Sequence, residues 1–228
     1  NKPSNLVVHP GAGNPDNTLV NALLYYNISL EVLPRAGIVH RLDKDTTGLM
    51  IVAKTLESYL ALTNLMQARK VSRHYQALIY GNIDKDQTIE TFMGRHPTVR
   101  TKMAVLGSGK LAVTHINVLT HYNYITHLNI KLETGRTHQI RVHLNHIGFP
   151  IIGDPTYKNK NAQKITKAQL GDSFDDFTRQ ALHAYKLEFI HPMTKKLISL
   201  TQALPNDFQG LLQKVNELSK DSECSDSN

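Results

Sequence analysis

The loop His40-Arg41-Leu42-Asp43-Lys44-Asp45-Thr46-Thr47-Gly48 packs charged and ionisable groups between two strongly apolar segments. A short loop held between buried strands is rigid, and a carboxylate acting as nucleophile or base needs that rigidity. Asp43 is therefore a candidate for chemistry, although D-x-D-x-x-G alone reads as a charged turn. The Glu and the ligand spacing of an EF-hand are absent. A second group, Leu132-Glu133-Thr134-Gly135-Arg136-Thr137-His138-Gln139-Ile140-Arg141-Val142-His143, joins a strand to a helix through a glycine and delivers Arg136 and Arg141. Arg141 follows Ile140, which puts it at the border of the buried face. A half-desolvated guanidinium there needs an anionic partner. The third group, Ser72-Arg73-His74-Tyr75-Gln76-Ala77-Leu78, is a basic strand start with Tyr75 on the face of Ala77 and Ile79, a position that suits a core tyrosine. His138, His143 and His146 share one predicted helix, but their spacing does not match H-E-x-x-H and no Glu lies between them, so no zinc site is expected.

The elements that position these groups can be read from apolar spacing. Leu6 to His9 reads as a short strand stopped by Pro10, and Thr18 to Tyr26 as a helix. Gly37 to His40 is a strand end, and Gly48 to Lys54 a near-continuous apolar run that predicts a strand buried on both faces. Leu56 to Arg69 carries Leu60, Leu62, Leu65 and Met66 at helical intervals. Strands follow at His74–Tyr80, Leu111–Leu119 and Ile125–Glu133, the last two separated by a turn near 122–124. Thr137 to Ile147 predicts a helix with Gly148 past its end, burying Ile140, Leu144 and Ile147. Two more strands lie at Ala184–Ile190 and Leu197–Thr201. A last helix, Asp207 to Leu218, has the stripe Phe208, Leu211, Leu212 and Val215, and Lys158 to Thr178 reads as a polar surface excursion. Strands outnumber helices and several neighbours look hairpin-connected. The expected class is α+β with a mixed, mostly antiparallel sheet, in one domain over 1–218. Residues 219–228 are expected to be a disordered acidic tail.

Composition narrows the function. With 26 Lys and Arg against 19 Asp and Glu the formal charge is +7, and the acidic C-terminal tail leaves the body more basic still. A basic body favours a polyanionic partner such as RNA or DNA. No apolar run approaches the ~20 residues of a membrane span, so no membrane partner is expected. The single Cys224 cannot make a disulfide framework, which fits a reducing, cytoplasmic setting.

Taken together, HRLDKDTTGLMIVAKT, SRHYQALIYG and LETGRTHQIRVHLNHIGFPIIGDPTY occur in the order of the signature motifs of RluA-type RNA pseudouridine synthases, and the chain resembles that family. The flanking VVHPGAGNPDNTLVNALL, RHPTVRTKMAV and QALHAYKLEFIHP look like the members that act on large-subunit ribosomal RNA. Thr47 stands where the family often has Ser, and His74 where an acid is common. The resemblance implies a pseudouridine synthase fold and the isomerisation of uridine to pseudouridine. Asp43 matches the catalytic aspartate, Arg141 the arginine paired with it, Tyr75 the tyrosine that packs on the uracil, and Arg41 the arginine associated with base flipping. It implies no cofactor and no metal, since nothing is added or lost. His40, Lys44, Arg73, Arg100, Lys102, Arg136 and His138 complete the candidate RNA contacts. On this reading Asp43 and Arg141 share one cleft and the Tyr75 ring is exposed to it. The family's upstream S4-like RNA-binding domain is expected to be absent from this sequence. A monomer is expected. A non-catalytic RNA-binding module would explain the charge but not a rigid loop carrying an Asp.

Overall fold

The structure, a computed structural model, describes all residues except 12, 160–163, 165–167, 169, 170, 172 and 226–228, and for 221–225 the backbone alone. In chain order its elements are α1 Leu19–Tyr26, two 3-10 turns at Ile28–Val32 and Pro34–Gly37, β1 Thr47–Gly48, α2 Leu56–Gln67, β2 Ser72–Tyr80, β3 Gln87–Arg95, β4 Met103–Leu106, β5 Lys110–Tyr122, β6 Ile125–Leu132, α3 Gln139–His146, β7 Leu182–Ile190, β8 Leu197–Thr201 and α4 Asn206–Ser225. The strands form a mixed eight-stranded sheet in an α+β architecture, as the spacing predicts. The chain makes two compact units, Asn1–Arg73 with Ala184–Gln202, and His74–His183 with Ala203–Asn228. The sequence shows no composition break because the crossings at 73/74 and 183/184 fall inside strands β2 and β7 rather than in linkers.

In the first unit, α1 and α2 begin at Thr18 and Thr55. The Asn21 side chain accepts the Thr18 N–H at 3.0 Å and Thr55 Oγ1 accepts the Ser58 N–H at 3.2 Å, so both N-termini are capped. The α2 stripe is Tyr59, Leu62, Leu65 and Met66, packed on Ala53, Val71, Leu187 and Phe189. Leu60, predicted inward, is 55% exposed: the inward face is set by the 59/62/66 row, and Leu60 falls outside it. Leu6–His9 is not a strand. Its Val7 and Val8 carbonyls accept the Leu19 and Val20 N–H groups, which have no partner within helix α1. The run Gly48–Lys54 is not a long strand either. Leu49, Ile51 and Ala53 donate to three different acceptors, the Ala184 carbonyl, the His40 ring and the Gly37 carbonyl, instead of to one ladder.

The second unit orders its strands β2-β6-β5-β3-β4. Antiparallel registers tie β3 to β4 and β5, and β5 to β6, with a bulge between Val118 and Thr120 and Asn123 at φ 44° in the turn. Helix α3 starts at Gln139, two residues later than predicted, because His138 at φ 56° is left-handed and cannot be its first helical residue. Gly148, at φ 93°, ends it as expected. Helix α4 buries Phe208, Leu211 and Val215 and is clamped by Arg179, whose Nε and Nη2 donate to the Asp207 carboxylate at 2.6 and 2.9 Å. Its backbone continues to Ser225, past the Leu218 end that the stripe predicts, since no Gly or Pro follows to stop it. Much of the 158–178 excursion lies outside the described residues. Among the described residues no helix is long and apolar enough to cross a membrane.

Candidate active site

In the first unit the loop around Asp43 is fixed from its backbone. Thr46 N–H closes a turn onto the Asp43 carbonyl at 3.1 Å. Lys2 is buried and sends its ammonium to the carbonyls of Lys44 at 2.7 Å and Leu6 at 3.0 Å, while Asn5 N–H reaches the Asp45 carboxylate at 3.1 Å. Leu42, Thr46 and Thr47 are buried, Asp43 is half-buried, and Arg41 and Lys44 are exposed. Gly48 is wedged: a Cβ there would lie 2.2 Å from the Ala184 carbonyl oxygen. The expected rigidity is thus built by Gly48, which closes the loop motif, and by Lys2, which the sequence does not mark as part of the site.

His40 accepts the Ile51 N–H on Nε2 at 2.9 Å. Burial, with the positive Arg73 adding to it, pushes its pKa down to about 3, so the ring is neutral at pH 7. The proton then sits on Nδ1, a buried atom with no hydrogen-bond partner among the described residues. His40 therefore offers no cation to a phosphate. Arg73, 8% exposed, is not a surface cation either. Arg41 does belong to a basic surface: burial, then the charges of Arg35 and Arg41, depress the pKa of His9.

In the second unit Arg141 is not at a border but 5% exposed, in a helix whose residues Gln139 to Leu144 are all buried. Its Nε and Nη2 donate to Asp154 Oδ2 and Oδ1 at 2.7 and 2.8 Å, a two-point fork. Asp154 Oδ1 also accepts the backbone N–H groups of Thr156 and Tyr157. The Tyr157 ring lies 5.0 Å from the Arg141 guanidinium carbon. Beside this pair runs a buried polar network. Gln139 donates to the Val113 carbonyl and to Thr114 Oγ1 and accepts from Thr134 Oγ1 and the Arg136 N–H. His143 lies 2.9 Å from Thr114 Oγ1 and 3.0 Å from Thr91 Oγ1, with its pKa pushed down to about 4 by burial and then by His146. These bonds pin α3 to β3 and β5 and so fix where Arg141 points. Arg136 is committed in part, its Nε donating to the Leu111 carbonyl at 3.0 Å.

Tyr75 is 5% exposed, so the expectation of an exposed ring is corrected: Tyr75 alternates inward with Ala77 and Ile79 along β2. Arg100 is exposed and Lys102 half-buried, at the tip of the β3–β4 hairpin. His138 is joined to Tyr157, its Nδ1 lying 2.8 Å from the phenol oxygen. Sequence spacing gives Asp154, Tyr157 and Gln139 no role of their own. The signal was present, in the GDPTY that ends the third motif, but spacing assigns it no partner.

Residues 1–146 match the RNA pseudouridylate synthase family. The chain is 50% identical over 217 residues to a Pseudomonas aeruginosa protein named ribosomal large subunit pseudouridine synthase D, covering 95% of this chain and 68% of that one. A protein of the same name from Nitrosomonas europaea is 49% identical, with 95% and 62% covered, so the chain spans about two thirds of the length of these relatives. Among solved structures, human RNA pseudouridylate synthase domain containing 1 superposes with a TM-score of 0.67 at 25% identity, covering 94% of this chain and 89% of that one. Human RNA pseudouridylate synthase domain containing 4 shares the fold, with a TM-score of 0.71 at 24% identity over 94% and 88%. Asp43, Tyr75 and Arg141 all lie within the family match, and the chain belongs to the RNA pseudouridylate synthase family.

Proposed function

We propose that this chain isomerises uridines of large-subunit ribosomal RNA to pseudouridine, with Asp43 as the catalytic carboxylate. The observation that carries this reading is the 50% identity, over 95% of the chain, to a protein named for that activity. The rigid loop that holds Asp43 supports it. The N1–C1′ bond of the target uridine breaks, the uracil turns, and a C5–C1′ bond forms while the C5 proton is released and N1 takes one up. Nothing is added or lost, so no cofactor or metal is expected to take part, and a monomer suffices. Asp43 acts as nucleophile or base, and Arg141 is the arginine matched to it in the family's motifs. Exposed Arg41 is the wedge for the extruded base, which offsets part of the few kcal/mol of unstacking. Arg100, Lys102 and Lys44 hold phosphates.

The test removes charge but not shape. Asp43→Asn should bring release of tritium from uracil-labelled RNA below detection while filter binding of the same RNA changes little. Arg141→Lys should lose most of the rate, because an ammonium cannot reproduce a planar two-donor contact. An Asp43→Asn protein turning over near the wild-type rate would sink the assignment. Normal single-turnover chemistry with lost binding would make Asp43 a structural part of the RNA surface.

A further inference from the structure

The hairpin tip between β3 and β4 is closed on itself. His96 N–H donates to the Lys102 carbonyl, Lys102 N–H to the Val99 carbonyl, and His96 Nδ1 accepts the N–H groups of Thr98 and Val99. Its cations, Arg95, Arg100 and Lys102, are therefore carried by one closed turn and the strand end beside it. In the strand order β4 is terminal, with β3 as its neighbour. A strand laddered on one side alone opens more easily than one held on both. On its other side Met103 and Val105 of β4 pack against Val142 and Tyr157, and one hydrogen bond joins β4 to Tyr157. Met103, the first residue of β4, donates its N–H to the Tyr157 hydroxyl at 2.8 Å.

Tyr157 is 5% exposed and reaches in several directions. Its hydroxyl, having accepted from Met103, has its own proton to give to His138 Nδ1 at 2.8 Å, with the two rings meeting edge-on. Its ring packs with Met93, Ala112 and Val142 and lies against the Arg141 guanidinium. Its backbone N–H donates to Asp154, the residue that forks Arg141. A phenylalanine would fill the same space. What it would lose is the hydroxyl, and with it the hydrogen bond from the start of β4 to the residue that lies against Arg141.

We propose that Tyr157 is a positioning residue whose hydroxyl holds the basic β3–β4 hairpin in register with the Arg141 guanidinium, so that RNA gripped by the hairpin is presented correctly for isomerisation. This rests on the functional reading above and adds to it a role for a group that takes no part in the bond changes. A displacement of about an ångström in substrate placement is enough to slow a step by up to about a hundredfold.

The experiment is a double-mutant cycle between Tyr157→Phe and the paired change Arg100→Ala with Lys102→Ala, read by single-turnover pseudouridine formation at saturating RNA, by filter binding and by thermal melting. Tyr157→Phe keeps the ring against Arg141 and should slow the single-turnover step about tenfold or more with little change in RNA affinity. In the hairpin-neutralised background the same substitution should have almost no further effect, because the two act on one path. Additive losses overturn the proposal, as does a wild-type rate for Tyr157→Phe. A Tyr157→Phe protein that melts below the assay temperature also overturns it, since the hydroxyl is then merely structural. Wild-type protein forming no pseudouridine fells the functional reading and this inference with it, whereas an active wild type with an additive cycle fells this inference alone.

Discussion

Arg141 shows how much a single residue costs to place. A guanidinium at 5% exposure has lost most of its water, and unpaired it would be several kcal/mol unfavourable. Asp154 offsets that with a two-point contact, and is itself held by two backbone N–H groups, so the fork is oriented before any substrate arrives. Asp154→Ala should therefore destabilise the protein by roughly 3–5 kcal/mol, because it strands a buried charge rather than merely deleting a contact. Urea unfolding of the purified variant measures this, and an unchanged midpoint would mean that water or another group takes over the guanidinium. The sequence made Arg141 visible, since its place after Ile140 predicts a desolvated cation in need of an anion. Which anion sits 13 residues on was not visible, because spacing on a helix says nothing about the chain after it ends.

At the scale of elements, backbone geometry decides more than side-chain preference. Gly48 has φ 112° and stands where an added Cβ would lie 2.2 Å from the Ala184 carbonyl oxygen, so two independent penalties fall on any substitution. Gly48→Ala should cost about 2 kcal/mol or more, seen as a lowered melting temperature with loss of the Asp43 loop's order. A wild-type melting curve would show that the loop and strand β7 can shift without harm. The same geometry explains the shortened strand around Gly48–Lys54. Its apolar run suits burial, yet its N–H groups are claimed one at a time by Ala184, His40 and Gly37. The strands that the alternating pattern predicted well, Ser72–Tyr80, Lys110–Tyr122 and Ile125–Leu132, carry no interior left-handed residue to interrupt their ladders.

Across the whole molecule, His40, His127 and His143 are held neutral at pH 7. His40 is pushed down to about 3 and His127 and His143 to about 4, in each case chiefly by burial. Unfolding releases them to a pKa near 6.5, so below that pH the unfolded chain binds more protons than the folded one. Their contribution is fully present above pH 6.5 and is lost as pH falls towards 4, by on the order of 1 kcal/mol per pH unit for each ring. Urea midpoints should hold from pH 7.5 to about pH 6.5 and then fall down to pH 5, and a flat profile would contradict the desolvation of these rings.

The sequence by itself determined the α+β class, the faces of most strands, the basic character of the chain and the loop that presents Asp43. These follow from periodicity, charge and punctuation, which are local properties of the chain. It also held, as ordered motifs, enough to identify the family. Folding alone settled that His40 is held neutral and Arg73 is buried rather than offered to a phosphate, that the Tyr75 ring is covered, and that Lys2 ties down the Asp43 loop. It alone paired Arg141 with Asp154 and set Tyr157 in contact with both β4 and that arginine. The physical reason is that a periodic pattern fixes which way a side chain faces. What it meets there depends on segments brought close by folding, and in a dry interior that partner sets the charge state and geometry of the group.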